Sequence, residues 1–238
     1  MPAQGLFITG TDTGVGKTVV TAAILAYFQH QGKKAGFMKP IETGVDNECS
    51  SPANSDALFL METGGIEDPL AEVCPIRLKP AASPFQAAMI ENRSIQPETI
   101  LSAYEKLSGQ YDWMLVEGIG GVQVPITRDY GMVELMRDLG LPAVVVVRYQ
   151  LGTLNHTLLT LDTLKQKGIP VKGVIFNRTG PQAPDAIEQD QPRLIEELSG
   201  TQVLGEFPYI DNLNTQSFSP ERLKQLERCI DFADLIRK

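Results

Sequence analysis

The chain is poor in the residues that usually build metal centres and disulfide frameworks. It has 238 residues, with three cysteines, two histidines and one tryptophan. Cys49, Cys74 and Cys229 are far apart and odd in number, so they give neither a metal-type spacing nor an obvious disulfide set. A reducing, cytoplasmic location is the simplest expectation. His30 and His156 are too few for a histidine-based metal site. No stretch approaches the ~20 apolar residues that a bilayer span needs, so no membrane partner is expected. Met1-Pro2-Ala3-Gln4 lacks a basic leader region, and Leu6-Phe7-Ile8 is too short for a signal core. Cations are also in deficit: 21 Lys and Arg stand against 29 Asp and Glu, a net charge of -8. Such a surface repels nucleic acid and anionic lipid, so nucleic acid is not an expected partner. A small anionic substrate in a local basic site remains compatible with it.

What is present is an ordinary globular composition, 42% hydrophobic and 21% charged. The length suits one α/β domain over 1–238, with no linker, repeat or low-complexity tract. Short apolar runs recur at Gly5 to Thr9, Ala35 to Met38, Trp113 to Val116, Pro142 to Val147, Val171 to Phe176 and Val203 to Phe207. Ala143-Val144-Val145-Val146-Val147 is continuously apolar, which suits a strand covered on both faces. The segments between read as helices. Thr18 to Gln31 is apolar nearly all round and predicts a deeply packed helix. Leu154, Leu158, Leu161 and Lys165 keep helical spacing, with Gly168 and Pro170 as stop signals. Ser83-Pro84 reads as an N-cap and first helical residue before Phe85 to Glu91. Leu223, Leu226, Ile230 and Ala233 form a helical stripe near the C-terminus. Gly44 to Ala53 and Gly64 to Ser83 read as long irregular loops. The expectation is a doubly wound, mostly parallel sheet flanked by helices, with right-handed crossovers.

Gly10-Thr11-Asp12-Thr13-Gly14-Val15-Gly16-Lys17-Thr18 follows the first strand and opens the first helix, the context a P-loop requires. Its glycines turn backbone N–H groups inward, and the helix N-terminus adds positive potential. Lys17 can reach the β- and γ-phosphates of ATP, and the Thr18 hydroxyl can ligate Mg²⁺. The pattern is irregular: Thr11 stands where the first glycine belongs, and Gly10 precedes it. The plainer alternative is a Gly-rich turn capping a helix.

Several further residues sit where a nucleotide site would need them. Glu117 ends the strand Trp113 to Val116 and precedes Gly118-Ile119-Gly120-Gly121, as does the second Mg²⁺ acid of P-loop proteins. Lys39-Pro40 ends the second strand; it reads either as a charge-neutralising lysine or as an exposed loop lysine. Asp56 reads on pattern alone as a first-turn helix acid. Asn177 ends another strand, where it can read a base edge or start a turn. His156, in a first helical turn, reads as a packing or capping residue.

Six segments together resemble the dethiobiotin synthetases: 10–18, Lys39-Pro40-Ile41-Glu42-Thr43-Gly44, Asn54-Ser55-Asp56-Ala57, Glu117 to Gly121, Leu151-Gly152-Thr153-Leu154-Asn155-His156, and Gly205-Glu206-Phe207-Pro208. The resemblance spans nearly the whole chain. It implies an ATP-dependent carboxylation and ring closure of 7,8-diaminononanoate with CO₂. It further implies that Lys17, Lys39 and Thr13 are catalytic, and that Thr18, Asp56 and Glu117 hold Mg²⁺. Gly14, Val15, Gly16, Val19, Gly118, Gly120, Asn177, Pro208 and Tyr209 would complete the nucleotide site. Thr13, Lys39, Thr43, Gly152, Thr153 and Asn155 would bind the diamine. The last three would come from the neighbouring subunit of a homodimer. Thr43 stands where the family often has serine, and Gly14 and Ile119 also depart from common family residues. A partitioning-type ATPase switch is the main alternative, but Asp12 occupies the place of its signature lysine. A cobyrinate-type amidoligase would need an added glutaminase domain.

Overall fold

The computed structural model describes residues 4–46 and 48–236. Six parallel strands form the central sheet in the order β2-β5-β1-β6-β7-β8. They are β1 (Gln4–Gly10), β2 (Ala35–Met38), β5 (Trp113–Glu117), β6 (Ala143–Arg148), β7 (Val171–Asn177) and β8 (Val203–Phe207). Two short strands, β3 (Ile41–Thr43) and β4 (Ile76–Leu78), pair as a separate parallel sheet. The helices are α1 (Lys17–His30), α2 (Asp56–Gly64), α3 (Leu70–Val73), α4 (Pro84–Ile90), α5 (Pro97–Ser108), α6 (Met132–Leu139), α7 (Thr153–Gln166), α8 (Ala186–Ser199), α9 (Pro220–Leu226) and α10 (Phe232–Ile236).

All six long apolar runs become strands of the main sheet because both of its faces are covered. Alternate residues of β6 enter two different cores: Val144 and Val146 pack with α1, α2, α9 and α10. Ala143, Val145 and Val147 pack with α4 to α8. β1 divides the same way, with Leu6 and Ile8 on one side and Phe7 on the other. Helices on both faces of a parallel sheet make a doubly wound α/β fold. The apolar α1 lies deep in the first core, where nine of its residues are buried. No helix among the described residues is long and apolar enough to cross a membrane.

Two expectations need correction. The stretch 64–83 is not one irregular loop but contains α3 and β4. A three-residue strand carries no readable period, and β4 forms only because Ile76–Leu78 pairs in register with Ile41–Thr43. The C-terminal stripe is not one helix. α9 stops at Leu226, Ile230 makes an antiparallel bridge to Gly205, and α10 starts at Phe232. Gly205 allows this at φ +132°, since a Cβ there would lie 2.0 Å from the Cys229 carbonyl oxygen. Ser83 at the N-cap of α4 and Pro84 at its first position match the expected start of that helix, although the Ser83 side chain makes no capping bond.

Candidate functional site

The carboxyl ends of the central strands converge on the loop between β1 and α1, where open parallel sheets hold ligands. Gly16 is the N-cap of α1 and takes φ +91°. Only glycine fits there: a Cβ would fall 1.9 Å from Asn177 Nδ2. Asn177 arrives from the end of β7, is 4% exposed, and donates through Nδ2 to the Val15 carbonyl at 2.8 Å. Its amide braces the loop, a role that sequence position alone did not reveal. Gly14 takes φ +74°, with the Arg148 guanidinium just beyond it. Arg148, at the end of β6, was not singled out by its sequence context.

The loop's lysine points back into its own cradle. Lys17 is buried and donates from Nζ to the Asp12 carbonyl at 2.9 Å. Burial lowers its pKa to about 8, with the Lys39 charge adding to the effect and nearby acids opposing it. Beside it lies a compact cluster. Lys39, from the end of β2, is only 2% exposed, which excludes the loop-lysine reading. Its Nζ bridges Glu117 Oε1 at 2.5 Å and Asp56 Oδ2 at 2.9 Å. Burial works to lower the Lys39 pKa, but Glu117 and Asp56 outweigh it and raise it above the usual lysine value. Thr18 donates from Oγ1 to Glu117 Oε1 at 2.8 Å.

The two acids of this cluster differ. Glu117 is fully buried, and burial raises its carboxyl above the usual range despite the Lys39 charge. Asp56 is half-exposed; burial works to raise it, but Lys39, Thr18 and Lys17 hold it below the usual range. Glu117 Oε2 is buried with no hydrogen-bond partner. A buried acceptor left unmatched is costly, about 1–3 kcal/mol. Together with the Thr18 hydroxyl and Asp56, it offers a hard-oxygen set of the kind Mg²⁺ prefers.

Asp56 is itself held by a residue that the sequence patterns did not flag. Glu42, on β3, is 3% exposed and accepts bonds from Ser55 Oγ at 2.8 Å, from Ala57 N at 3.3 Å and from Asp56 N. The buried Arg77 of β4 stands behind it, with Nε 3.7 Å from Glu42 Oε2. The available signal was a carboxylate between Ile41 and Thr43 in the segment after Lys39.

A cleft of about 810 Å³ opens from this cluster and is lined by Thr18, Val19, Thr43, Asp56 and Leu213, among others. A second, of about 520 Å³, lies against Thr11, Asp12, Val122, His156 and Leu159. Gly118 and Gly120 keep the turn after β5 tight: a Cβ at Gly118 would meet the Phe7 ring at 2.8 Å. Gly120 takes φ +60°, with Thr13 Oγ1 3.7 Å from where its Cβ would sit. Pro208 and Tyr209 follow β8, whose Phe207 pairs with Asn177. Gly152, Thr153 and Asn155 stand apart at the start of α7, and none of them lines the larger cleft. Thr153 is buried, and its hydroxyl donates inward to the Arg148 carbonyl at 2.5 Å. Asn155 and His156 are exposed, so His156 is not the packed residue its pattern suggested.

Comparison with known proteins gives the family. The family model described as "AAA domain" matches residues 4–217. The ATP-dependent dethiobiotin synthetase BioD of Thermodesulfovibrio yellowstonii is 42% identical, covering 94% of this chain and 96% of its own. The protein of the same name from Methanocaldococcus jannaschii is 45% identical, covering 72% and 78%. Among solved structures, the MinC:MinD cell division complex of Aquifex aeolicus aligns with a TM-score of 0.58 at 18% identity, covering 98% of this chain and 95% of that one. The septum site-determining protein MinD of Pyrococcus horikoshii, complexed with Mg-ADP, aligns at 0.56 and 17%, covering 98% and 94%. The structural likeness establishes the P-loop fold, and the sequence relatives establish the family. The chain, with its lysine-bridged acids beside a Gly-rich phosphate loop, belongs to the dethiobiotin synthetase family.

Proposed function

We propose that this protein is an ATP-dependent dethiobiotin synthetase of biotin biosynthesis, converting 7,8-diaminononanoate, CO₂ and ATP into dethiobiotin, ADP and phosphate. The observation that carries the reading is the buried Lys39 ammonium, held between Asp56 and Glu117 beside the phosphate loop. One amine of the substrate adds to CO₂, giving a carbamate and releasing a proton. A carbamate oxygen attacks the γ-phosphorus, and ADP leaves. The second amine then attacks the carbamoyl carbon, closes the ureido ring and expels phosphate. Every stage gathers negative charge in one place, and fixed cations in a water-poor site are what that chemistry needs.

Lys17 turns from the Asp12 carbonyl to the β- and γ-phosphates, while the loop backbone from Gly14 to Gly16 cradles them. Thr18 and Val19 continue that cradle at the start of α1. Lys39 neutralises the carbamate and the moving phosphoryl group. Thr18, Asp56 and Glu117 are the residues that would hold Mg²⁺, and the unmatched Glu117 Oε2 fits that role. When bound there, Mg²⁺ supplies charge neutralisation at the phosphate oxygens. Thr13 and Thr43 flank the diamine, and Gly118 and Gly120 leave room for the transferred phosphate. Asn177, Pro208 and Tyr209 border the adenine.

The substrate carboxylate falls to Gly152, Thr153 and Asn155 of a second copy in a homodimer. Two features support this. Leu151 is fully exposed and Leu159 largely so. The smaller cleft places α7 beside the start of the phosphate loop. The absence of a spanning helix among the described residues is compatible with a cytoplasmic enzyme.

ATP hydrolysis is the direct test. It should require both bicarbonate and the diamine. Rapid ADP release in the absence of diamine would favour a switch-type ATPase instead.

A further inference from the structure

From the arrangement around Asp56 we infer that Glu42 is a positioning residue for the metal site, aiming Asp56 at Thr18 and Glu117 by holding the first turn of α2. The inference rests on the proposal that Asp56 is a metal ligand.

Three observations converge. Glu42 is a buried carboxylate set in the wall of the larger cleft. Its two oxygens take up the Ser55 hydroxyl and the first backbone N–H groups of α2, at Asp56 and Ala57. These N–H groups have no partner within the helix, and a carboxylate satisfies them more strongly than a neutral cap. Ser55 meanwhile caps the helix in the ordinary way, accepting from Leu58 N at 3.3 Å. The helix therefore has one cap of its own and a second from β3.

The second cap acts on position more than on helix stability. β3 is three residues long and is paired with β4, so that Glu42 lies opposite Arg77. Arg77 is also buried, and its guanidinium stands 3.7 Å from Glu42 Oε2, the oxygen that takes the Ser55 hydroxyl. Asp56 is the first residue of α2, and its backbone N–H goes to Glu42 while its carboxylate goes to Lys39. Main chain and side chain of one residue are thus held from two directions. Lys39 and Glu42 belong to the same short segment, so that segment sets both the cation at Asp56 and the frame beneath it. Partners one layer behind a ligand typically govern affinity by about 10- to 100-fold.

Replacing Glu42 with glutamine keeps its size but swaps one acceptor oxygen for a donor that cannot serve Ser55 and the N–H groups together. The probe is Mn²⁺, titrated with a non-hydrolysable ATP analogue and followed by electron paramagnetic resonance. Glu42→Gln should weaken Mn²⁺ binding about 10- to 100-fold, lower kcat, and leave the diamine KM within about twofold. Thermal unfolding read by circular dichroism reports whether the variant folds. If it does not fold, Ser55→Ala, which removes one of the Glu42 bonds, should still weaken Mn²⁺ severalfold without changing metal-free nucleotide binding. Unchanged Mn²⁺ affinity in folded Glu42→Gln, or in Ser55→Ala if that becomes the test, overturns the inference. So does a uniform loss of metal, nucleotide and diamine binding. Asp56→Asn serves as the reference: if it leaves Mn²⁺ affinity intact, the ligand role of Asp56 fails. If Asp56→Asn weakens Mn²⁺ and Glu42→Gln does not, only the positioning role fails.

Discussion

At the scale of single residues, Lys39 and Lys17 do different electrostatic work. Lys39 compensates two acids, one of them fully buried. Removing one partner of a buried pair leaves the other charged and unmatched, at a cost of about 3–5 kcal/mol. Lys39→Ala should fall near the low end, about 3 kcal/mol, because the Asp56 side chain is 48% exposed. Chemical denaturation in EDTA measures this, and adding Mg²⁺ should return part of the loss. A variant as stable as the parent would mean that the acids are not charged together. Ring closure should fall steeply in Lys39→Ala while ADP binding persists.

Lys17 is the opposite case, because burial lowers its pKa to about 8. In the proposed role the charged form meets phosphate, and that charge is lost as pH rises through this value in the nucleotide-free protein. Nucleotide affinity should therefore weaken above pH 8, by at most about tenfold per pH unit. Isothermal titration at pH 7 and pH 9.5 reads this directly, and Lys17→Met should flatten the profile. For stability the sign is reversed. A lysine with a lowered folded pKa binds fewer protons than in the unfolded chain between about 8 and 10.5, so its contribution to stability rises with pH across that window.

The two residues also show what could be read in advance. Lys17 sits in a motif whose mechanism follows from spacing. The metal role proposed for Asp56 came only from the resemblance, since a first-turn acid is commonplace. Glu42 could not be read at all, because its partners at 55–57 meet it only once β3 and β4 pair.

At the scale of elements, the long strands were legible and the short ones were not. A run such as Val144 to Val147 announces a strand covered on both sides. Ile41–Thr43 and Ile76–Leu78 are too short to show any period and exist through their mutual pairing. The C-terminal stripe misled for a different reason. Its helical spacing is genuine, but the bridge from Gly205 to Ile230 interrupts the helix, and pattern alone does not reveal a tertiary contact.

That contact gives a sharp prediction. Gly205→Ala would drive a methyl group into the Cys229 carbonyl at a φ that alanine avoids. Overpacking of this kind costs about 1–3 kcal/mol. Thermal unfolding should show the loss, while ADP binding in the folded fraction stays unchanged. Full stability would mean that segment 229–230 shifts without cost.

At the scale of the whole molecule, the proposed site draws on two copies of the chain. The phosphate loop, Lys39 and the acids cluster at the strand ends, while Gly152, Thr153 and Asn155 lie outside the larger cleft. Exposed Leu151, in the turn before α7, and Leu159, on α7, suit coverage by a second copy. Sedimentation should show a dimer at micromolar concentration. Asn155→Ala should raise the diamine KM about tenfold, a loss of roughly 1.4 kcal/mol, with the ATP KM little changed. An unchanged diamine KM removes Asn155 from the substrate site.

The central claim is that this site couples ATP to closure of the ureido ring of dethiobiotin. It is tested most directly by incubating the protein with 7,8-diaminononanoate, ATP, Mg²⁺ and ¹³C-bicarbonate and reading the product by mass spectrometry. The account predicts a cyclic urea carrying one ¹³C, formed one-for-one with ADP and absent without any one of the four components. ADP and phosphate without a labelled ring product would contradict it.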